Sequence, residues 1–197
     1  MFTGIIEELA KVVEIQKEQE NLHLTLQSNI TSELKIDQSV SHNGVCLTVV
    51  EIKDDLYTVT AIKETLDKSN IGDLVVKDKV NMERSMVMNG RIDGHIVQGH
   101  VDQTAKCVSI VEEDGSWKYT FEYDSTLGNL TVSKGSITIN GVSLTVVDPS
   151  PGRLSVAIIP YTIEHTNFHT FKVGTKVNLE FDIIGKYVST YMAKVNS

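Results

Sequence analysis

Cysteine, positive charge and long apolar runs are all scarce in this chain of 197 residues. Its two cysteines, Cys46 and Cys107, are too few for a disulfide framework or for a four-cysteine zinc site. They fit a reducing compartment, so we expect a cytoplasmic protein. No stretch approaches the roughly 18 apolar residues of a membrane span, and the first residues lack the pattern of a signal peptide. We therefore expect no membrane partner.

Lysine and arginine number 18 against 26 acidic residues, which gives a net charge of −8. Because there is no basic stripe or arm, nucleic acid is not a predicted partner. The sequence has no glycine-rich phosphate loop and no dinucleotide fingerprint. Two histidine pairs, His95 with His100 and His165 with His169, lack the cysteine or acidic neighbours of a convincing zinc site. We therefore expect no metal and no cofactor, and a partner that is either a small molecule or another protein.

The most informative feature that is present is an internal duplication. Segment 39–50, SVSHNGVCLTVV, matches segment 136–147, SITINGVSLTVV, at eight of twelve positions with an offset of 97. Nearer the start of the two copies the offset is 95, which pairs Gly4 with Gly99. The chain is therefore one unit written twice, with a net change of two residues in a loop.

The local patterns predict β-structure in both copies. Aromatic residues make up only 6% of the chain, so valine, isoleucine and leucine must form most of the core. Segments 56–62 and 154–158 mix alternation with β-branched residues, as strands do. Asn-Gly pairs at 43–44 and 140–141 predict tight turns, and 64–70 and 161–167 predict short helical or irregular connections. Each copy offers about six short strands, and small barrels usually remove the open edges of such a unit.

The domain boundary is predicted near Ser85 to Arg91, which gives an N-terminal barrel at 1–88 and a C-terminal barrel at 89–182. Each copy has its own strands, turn and core stripe. We therefore expect residues 1–88 to fold and to bind the ligand without the rest of the chain, because Gly4 to Ile6, Cys46 to Thr48 and Thr60 to Thr65 all lie within them.

Residues 183–197 are predicted to contain an oligomerisation helix. Ile184, Val188, Tyr191 and Val195 are spaced by four, three and four residues, which is heptad spacing. A stripe of this length is too short to be a stable helix alone. It must therefore pack either on its own barrel or on neighbouring chains.

The two copies differ at one position on a strand. Cys46 is matched by Ser143, and the period of two places Cys46 with Thr48, and Ser143 with Thr145, on one strand face. Val45, Leu47 and Val49 take the opposite, core face. Each copy therefore presents a small nucleophilic or hydrogen-bonding side chain outside the core. The alternative for Cys46 is a small hydrophobic residue in the interior.

A second difference lies at the start of the copies, where Thr3-Gly4-Ile5 aligns with Gln98-Gly99-His100. Histidine replaces isoleucine there, and its ordinary pKa suits proton transfer near neutral pH. The alternative is a surface histidine with no role.

Four motifs, taken in this order on a duplication of this length, carry a family resemblance. They are the starting residues MFTGI, the segment NGVCLTV at 43–49, the segment GHIVQGHVD at 94–102, and the segment NGVSLTV at 140–146. Together they resemble riboflavin synthase, alpha chain. The resemblance extends from Met1 to about Tyr191.

The resemblance implies an all-β fold: a tandem duplication of two similar six-stranded, Greek-key-like β-barrels plus a short C-terminal α-helix. It implies a homotrimer held by these helices, with active sites between the N-terminal barrel of one subunit and the C-terminal barrel of the next. The implied activity is that of a transferase in riboflavin biosynthesis. Two molecules of 6,7-dimethyl-8-ribityllumazine dismutate to riboflavin and 5-amino-6-ribitylaminouracil by transfer of a four-carbon unit, without a cofactor.

The resemblance also implies the site residues. We expect His100 to shuttle protons and Cys46 or Ser143 to lie near the attacked ring carbon. The residues implied as catalytic are Ser39, Cys46, Thr65, His100, Ser143 and Asp182. Those implied in substrate binding are Gly4, Ile5, Ile6, Cys46, Leu47, Thr48, Thr60, Ala61, Ile62, Lys63, Glu64, Thr65, Gly99, His100, Val101, Lys134, Ser143, Leu144, Thr145, Ile158, Ile159, Pro160, Tyr161 and Thr162.

One rival function belongs to a different class on the same fold: a non-catalytic lumazine or flavin carrier. Such carriers lose polar residues in one half-site. This chain keeps Thr48 and Thr145, Cys46, His100 and Ser143, so the sequence favours catalysis over the carrier.

Overall fold

The computed structural model describes residues 1–195, and within them the chain forms two closed, six-stranded antiparallel barrels. The first barrel contains β1 Glu8–Glu18, β2 Asn21–Gln27, β3 Ser39–His42, β4 Val45–Lys53, β5 Leu56–Ala61 and β6 Lys79–Arg84, with α1 Lys63–Lys68 after β5. The second contains β7 Gln103–Glu113, β8 Ser116–Tyr123, β9 Ser136–Ile139, β10 Val142–Ser150, β11 Arg153–Ile158 and β12 Lys176–Phe181, with α2 Pro160–His165 after β11. Helix α3, Ile183–Val195, follows the second barrel.

Both barrels have the same strand order, β1-β2-β5-β4-β3-β6 in the first and its equivalent in the second. Strands β3, β4 and β5 form a meander. A long connection leads from β2 to β3, and β2 pairs with β5 at the far edge of this meander, which is a Greek-key arrangement. This confirms the predicted all-β tandem duplication. The Asn-Gly turns join β3 to β4 and β9 to β10, and Asn43 and Asn140 both have positive φ, as a primed hairpin turn requires.

Each barrel encloses its own apolar core, made mostly of valine, leucine and isoleucine. On β4, Val45, Leu47 and Val49 are buried, whereas Cys46 is half-buried and Thr48 is exposed. Ser143 and Thr145 likewise avoid the core face of β10. The predicted non-core strand face is therefore correct in both copies, and Cys46 is not an interior residue.

Six asparagines, three from each copy, join the two barrels through a buried hydrogen-bond network. The Asn81 side chain donates to the main-chain oxygen of Asn140 at 2.9 Å, and the equivalent Asn178 side chain donates to the main-chain oxygen of Asn43 at 2.8 Å. The Asn167 side chain donates to the Asn43 side-chain oxygen at 2.9 Å. The network also includes Asn70, whose main-chain amide donates to the side chain of Asn178. A polar interface with such fixed partners holds the barrels in one relative orientation.

Helix α3 does not pack its apolar stripe on its own barrel. None of its described residues is buried, and Ile184, Val188, Tyr191 and Val195 are each more than half exposed. The sequence left two packing surfaces open for this stripe, its own barrel and neighbouring chains. In this structure the stripe does not pack on its own barrel. Among residues 1–195, no helix has both the length and the apolarity needed to cross a membrane.

Candidate functional site

The residues that begin each copy lie on the barrel of the other copy. The amide of Ser143 donates to the main-chain oxygen of Gly4 at 2.8 Å, and the amide of Cys46 donates to that of Gly99 at 2.8 Å. Ile6 packs against the second core and Val101 against the first. Gly4 to Ile6 therefore lie beside Ser143 of the second barrel, and Gly99 to Val101 lie beside Cys46 of the first. The two starting segments cross between the barrels, so each barrel is contacted by the starting loop of the other copy.

Two equivalent buried carboxylates hold these crossing loops. Glu83 accepts from the amides of Thr3 and Gly4 at 2.7 and 2.9 Å, and also from the Thr3 hydroxyl. Glu180 accepts from the amides of three consecutive residues, Gln98, Gly99 and His100, at 2.7 to 2.9 Å. Burial raises the pKa of both carboxyls, and the donated hydrogen bonds oppose that rise. These carboxylates fix the loops against the strands that end each barrel.

The first pocket brings together several predicted residues around Cys46. His100 and Gly99 come from the crossing loop, and Glu64 and Thr65 come from α1. The cavity measures about 370 Å³ and is lined by Val45, Cys46, Glu64, Thr65, Lys68, Ser69, Gly99, His100 and Val101. A thiol, an imidazole, a carboxylate and an ammonium group therefore face one small cavity, which suits a polar heterocycle with a hydroxylated side chain.

The second half-site is built on Ser143, the counterpart of Cys46, and contains a different histidine. Nδ1 of His95 lies 2.7 Å from the Ser143 hydroxyl oxygen, and the amide of His95 donates to Thr3. Burial lowers the pKa of His95, although the charge of Asp182 acts in the opposite direction. The imidazole is therefore neutral near pH 7 and can exchange a proton with the hydroxyl. Asp182 also caps α3 by accepting from the amide of Ile184 at 2.9 Å.

Other predicted residues lie outside the lining of the Cys46 cavity. Ser39 on β3 is the cross-strand partner of Thr48. The hydroxyl of Thr60 is hydrogen-bonded to His23. Lys134 is exposed in the turn before β9. Exposed positions at the starts of α1 and α2 complete this group: Ile62, Lys63, Ile159, Pro160 and Tyr161, while Ile5, Leu144 and Thr162 are exposed or half-buried.

Three predicted binding residues have side chains inside the barrel cores. Leu47, Ala61 and Ile158 are 5%, 0% and 0% exposed. They follow the strict alternation of their strands and point away from the pockets. Their part in ligand binding stays a prediction.

The sequence reasoning missed His95, Lys68 and the two anchoring glutamates as site residues. His95 has no paired position in the numbered sequence, because the offset of 95 places its counterpart before Met1, so no difference between the copies marks it. Glu83 and Glu180 are identical in both copies, so they gave no difference to notice, although an identical buried acid is a signal of a shared anchor. Among the described residues, no three His, Cys, Asp or Glu side chains are grouped as metal ligands.

Comparison with known proteins relates both copies to one family. The Lumazine binding domain matches residues 3–85 and again residues 98–182. Riboflavin synthase of Actinobacillus pleuropneumoniae is 40% identical over 98% of this chain and 91% of its own. The enzyme of Bacillus subtilis (strain 168) is 40% identical over 100% of this chain and 92% of its own, and that of Escherichia coli (strain K12) is 40% identical over 92% and 87%.

A solved structure of LumP complexed with 6,7-dimethyl-8-(1'-D-ribityl) lumazine has the same fold. It superposes with a TM-score of 0.83 at 24% identity, covering 91% of this chain and 98% of that one. This likeness concerns the fold alone, whereas the sequence identity to the enzymes extends along both barrels. The chain belongs to the riboflavin synthase family, and it carries the lumazine-binding domain of that family twice.

Proposed function

We propose that this chain is a riboflavin synthase, which converts two molecules of 6,7-dimethyl-8-ribityllumazine into riboflavin and 5-amino-6-ribitylaminouracil. One molecule donates a four-carbon unit and the other accepts it. The observation that carries the proposal is the pair of related but chemically different half-sites in one chain. Cys46 with His100 forms one, and Ser143 with His95 forms the other. Two copies of one substrate with opposite roles require such a pair.

Much of the rate enhancement comes from holding two heterocycles together, which removes the entropic cost of their encounter. The lumazine C7 methyl group is already acidic, so a well-placed proton shuttle suffices to start the reaction. His100 is proposed for that role in the first pocket. Ser143 is proposed to lie near the attacked ring carbon, and His95, at 2.7 Å from its hydroxyl oxygen, can accept the hydroxyl proton.

We further propose a cytoplasmic homotrimer in which the N-terminal barrel of one subunit faces the C-terminal barrel of the next. The exposed apolar stripe of α3 supports an assembly through this helix, since a stripe of this size is usually covered. The two thiols of Cys46 and Cys107 are both free, which supports a reducing compartment.

The proposed function is tested by incubating the purified chain with the lumazine alone. We expect two lumazine molecules to be consumed for each riboflavin and each aminouracil formed, as followed by absorbance and chromatography. Dialysis against a chelator should leave the rate unchanged, because no metal takes part. Turnover that depends on added metal would contradict the proposal.

A second candidate is a non-catalytic lumazine or flavin carrier. The fold likeness to LumP, whose solved structures hold the lumazine, riboflavin or flavin mononucleotide, favours it. The same incubation separates the two candidates. A carrier gives a fluorescence change that saturates at one ligand per site and produces no riboflavin.

A further inference from the structure

A well-defined ion pair joins helix α3 to its own barrel. Nζ of Lys186 lies 2.9 and 2.8 Å from the two carboxylate oxygens of Asp102. The side chains are only 27% and 19% exposed, so solvent screens this pair less than a surface pair. Asp102 also accepts from the amide of Phe181 at 2.8 Å, and its own amide donates to Leu179. The ion pair therefore joins the helix, the end of β12 and the residue before β7.

Asp102 is the last residue of the loop 98–102, and Glu180 holds the first residues of this loop. The carboxylate of Glu180 accepts the amides of residues 98–100, and two residues later Asp102 fixes the chain to the end of β12. His100 lies between these two anchors and reaches the pocket of the first barrel. The charge of Lys186 also opposes the rise in the pKa of Glu180 that burial causes. One lysine of α3 thus acts on both anchors of the His100 loop.

The first copy has a cation at the equivalent position. Glu7 is the counterpart of Asp102 at the offset of 95, and it accepts the amide of Arg84 at 2.8 Å, as Asp102 accepts that of Phe181. There the cation is the Arg84 guanidinium itself, at 2.8 and 3.0 Å from Glu7. The second copy has phenylalanine, Phe181, at the position of Arg84, so β12 offers no cation at this position. Lys186 of α3 supplies the charge instead.

We infer that Lys186 is a positioning residue: through its ion pair with Asp102 it couples the orientation of α3 to the placement of His100 in the Cys46 pocket. The inference rests on the proposed function for its effect on catalysis. Its structural part, the ordering of residues 98–100 by Lys186, does not depend on any activity.

The test compares Lys186→Met with Lys186→Arg and with a matched control, Lys118→Met. Lys118 also pairs with an aspartate of the second barrel, Asp148, but it lies outside the His100 loop. We expect Lys186→Met to lower kcat about 10- to 100-fold, since a small misplacement of a reacting group has effects of that size. Lumazine affinity should change much less. Lys186→Arg should restore most of kcat, and Lys118→Met should resemble the parent.

Hydrogen exchange of the amides of Gln98, Gly99 and His100 is measured in the same variants without substrate. It should be faster in Lys186→Met and in Asp102→Asn, which breaks the same pair from the loop side. Sedimentation is run on each variant. Unchanged exchange at these amides overturns the inference, as does a loss of kcat equal to that of Lys118→Met or a loss that merely accompanies dissociation into smaller species. A parent chain that never forms riboflavin removes the proposed function alone, because the exchange experiment still tests the coupling.

Discussion

The main-chain oxygen of Gly4 accepts a hydrogen bond of 2.8 Å from the amide of Ser143, a residue of the other barrel. In the equivalent hydrogen bond, the main-chain oxygen of Gly99 in the second copy accepts from the amide of Cys46 in the first barrel. The approach leaves no room for a side chain, since a Cβ on Gly4 would lie 2.5 Å from the Cβ of Ser143, and one on Gly99 would lie 2.7 Å from that of Cys46. Each pocket is therefore completed by the other copy, and the two half-sites of one chain are structurally coupled.

This crossing predicts that a substitution in one copy damages the pocket of the other. Gly4→Ala should speed hydrogen exchange at the amide of Ser143, and Gly99→Ala should speed it at that of Cys46, each leaving the other amide protected. Both glycines also have positive φ, which alanine adopts at a cost of about 1 to 2 kcal/mol. The measurement is residue-resolved exchange by NMR, with lumazine titrations of each variant.

Gly115→Ala is the control for these two variants, because Gly115 has a positive φ of 86° but no atom within 4 Å of the added Cβ. It should show the backbone cost without any change at either pocket. If Gly4→Ala instead exposes the Cys46 amide, the crossed arrangement is wrong.

His100 and His95 should have separate effects because His100 lines the Cys46 cavity whereas His95 lies beside Ser143. His100→Gln is expected to lower kcat more than lumazine affinity, since a proton shuttle acts in the chemical step. His95→Gln should also lower kcat, through the loss of the proton acceptor beside Ser143. Steady-state kinetics and direct binding titrations give both quantities. His169→Gln serves as the control, because the imidazole of His169 is hydrogen-bonded to a main-chain oxygen, that of Thr166, after α2. An unchanged turnover number in His100→Gln would remove this residue from the mechanism.

The sequence was sufficient to predict the fold because the duplication doubled every local signal. The alternation around Cys46 and Ser143 fixed which face of β4 and β10 avoids the core. The sequence could not show that the starting loops cross. The match between Gly4 and Gly99 is the same whether each glycine lies on its own barrel or on the other one. That choice depends on the buried anchors Glu83 and Glu180 and on the asparagine network, which are long-range contacts. His95 was hidden for a related reason, because it has no counterpart in the first copy.

A buried histidine in the first barrel predicts a pH-dependent stability. His42 is 1% exposed, lies 2.9 Å from the Tyr57 hydroxyl, and has its pKa lowered by burial to about 4. Its folded pKa is below the ordinary value of 6.5, so the unfolded chain binds the proton more readily. The stability contribution is therefore complete above pH 6.5 and is lost as the pH falls from 6.5 towards 4.

Between pH 7 and pH 5 this linkage should cost about 2 kcal/mol of unfolding free energy. Urea denaturation at the two pH values measures it. In the second copy Ile139 occupies the position of His42, so His42→Ile is a substitution that the fold already accepts. That variant should lose most of the difference, whereas the exposed His165→Gln should keep it. An equal pH dependence in His42→Ile and the parent would assign the effect to other groups.

The exposed stripe of α3 predicts that this helix governs assembly. Ending the chain after Asp182 removes the stripe and should shift the proposed trimer towards monomer in sedimentation, while circular dichroism remains β-rich because both cores are intact. Truncation also removes Lys186, so a point substitution is needed beside it. Val188→Glu places a charge on the stripe and should dissociate the assembly, whereas Thr190→Glu places the same charge on an exposed position off the stripe and should not. Because Lys186 remains in both variants, any dissociation belongs to the apolar contact itself. A Val188→Glu chain that still sediments as the parent does would place the subunit contacts on the barrels instead of the helix.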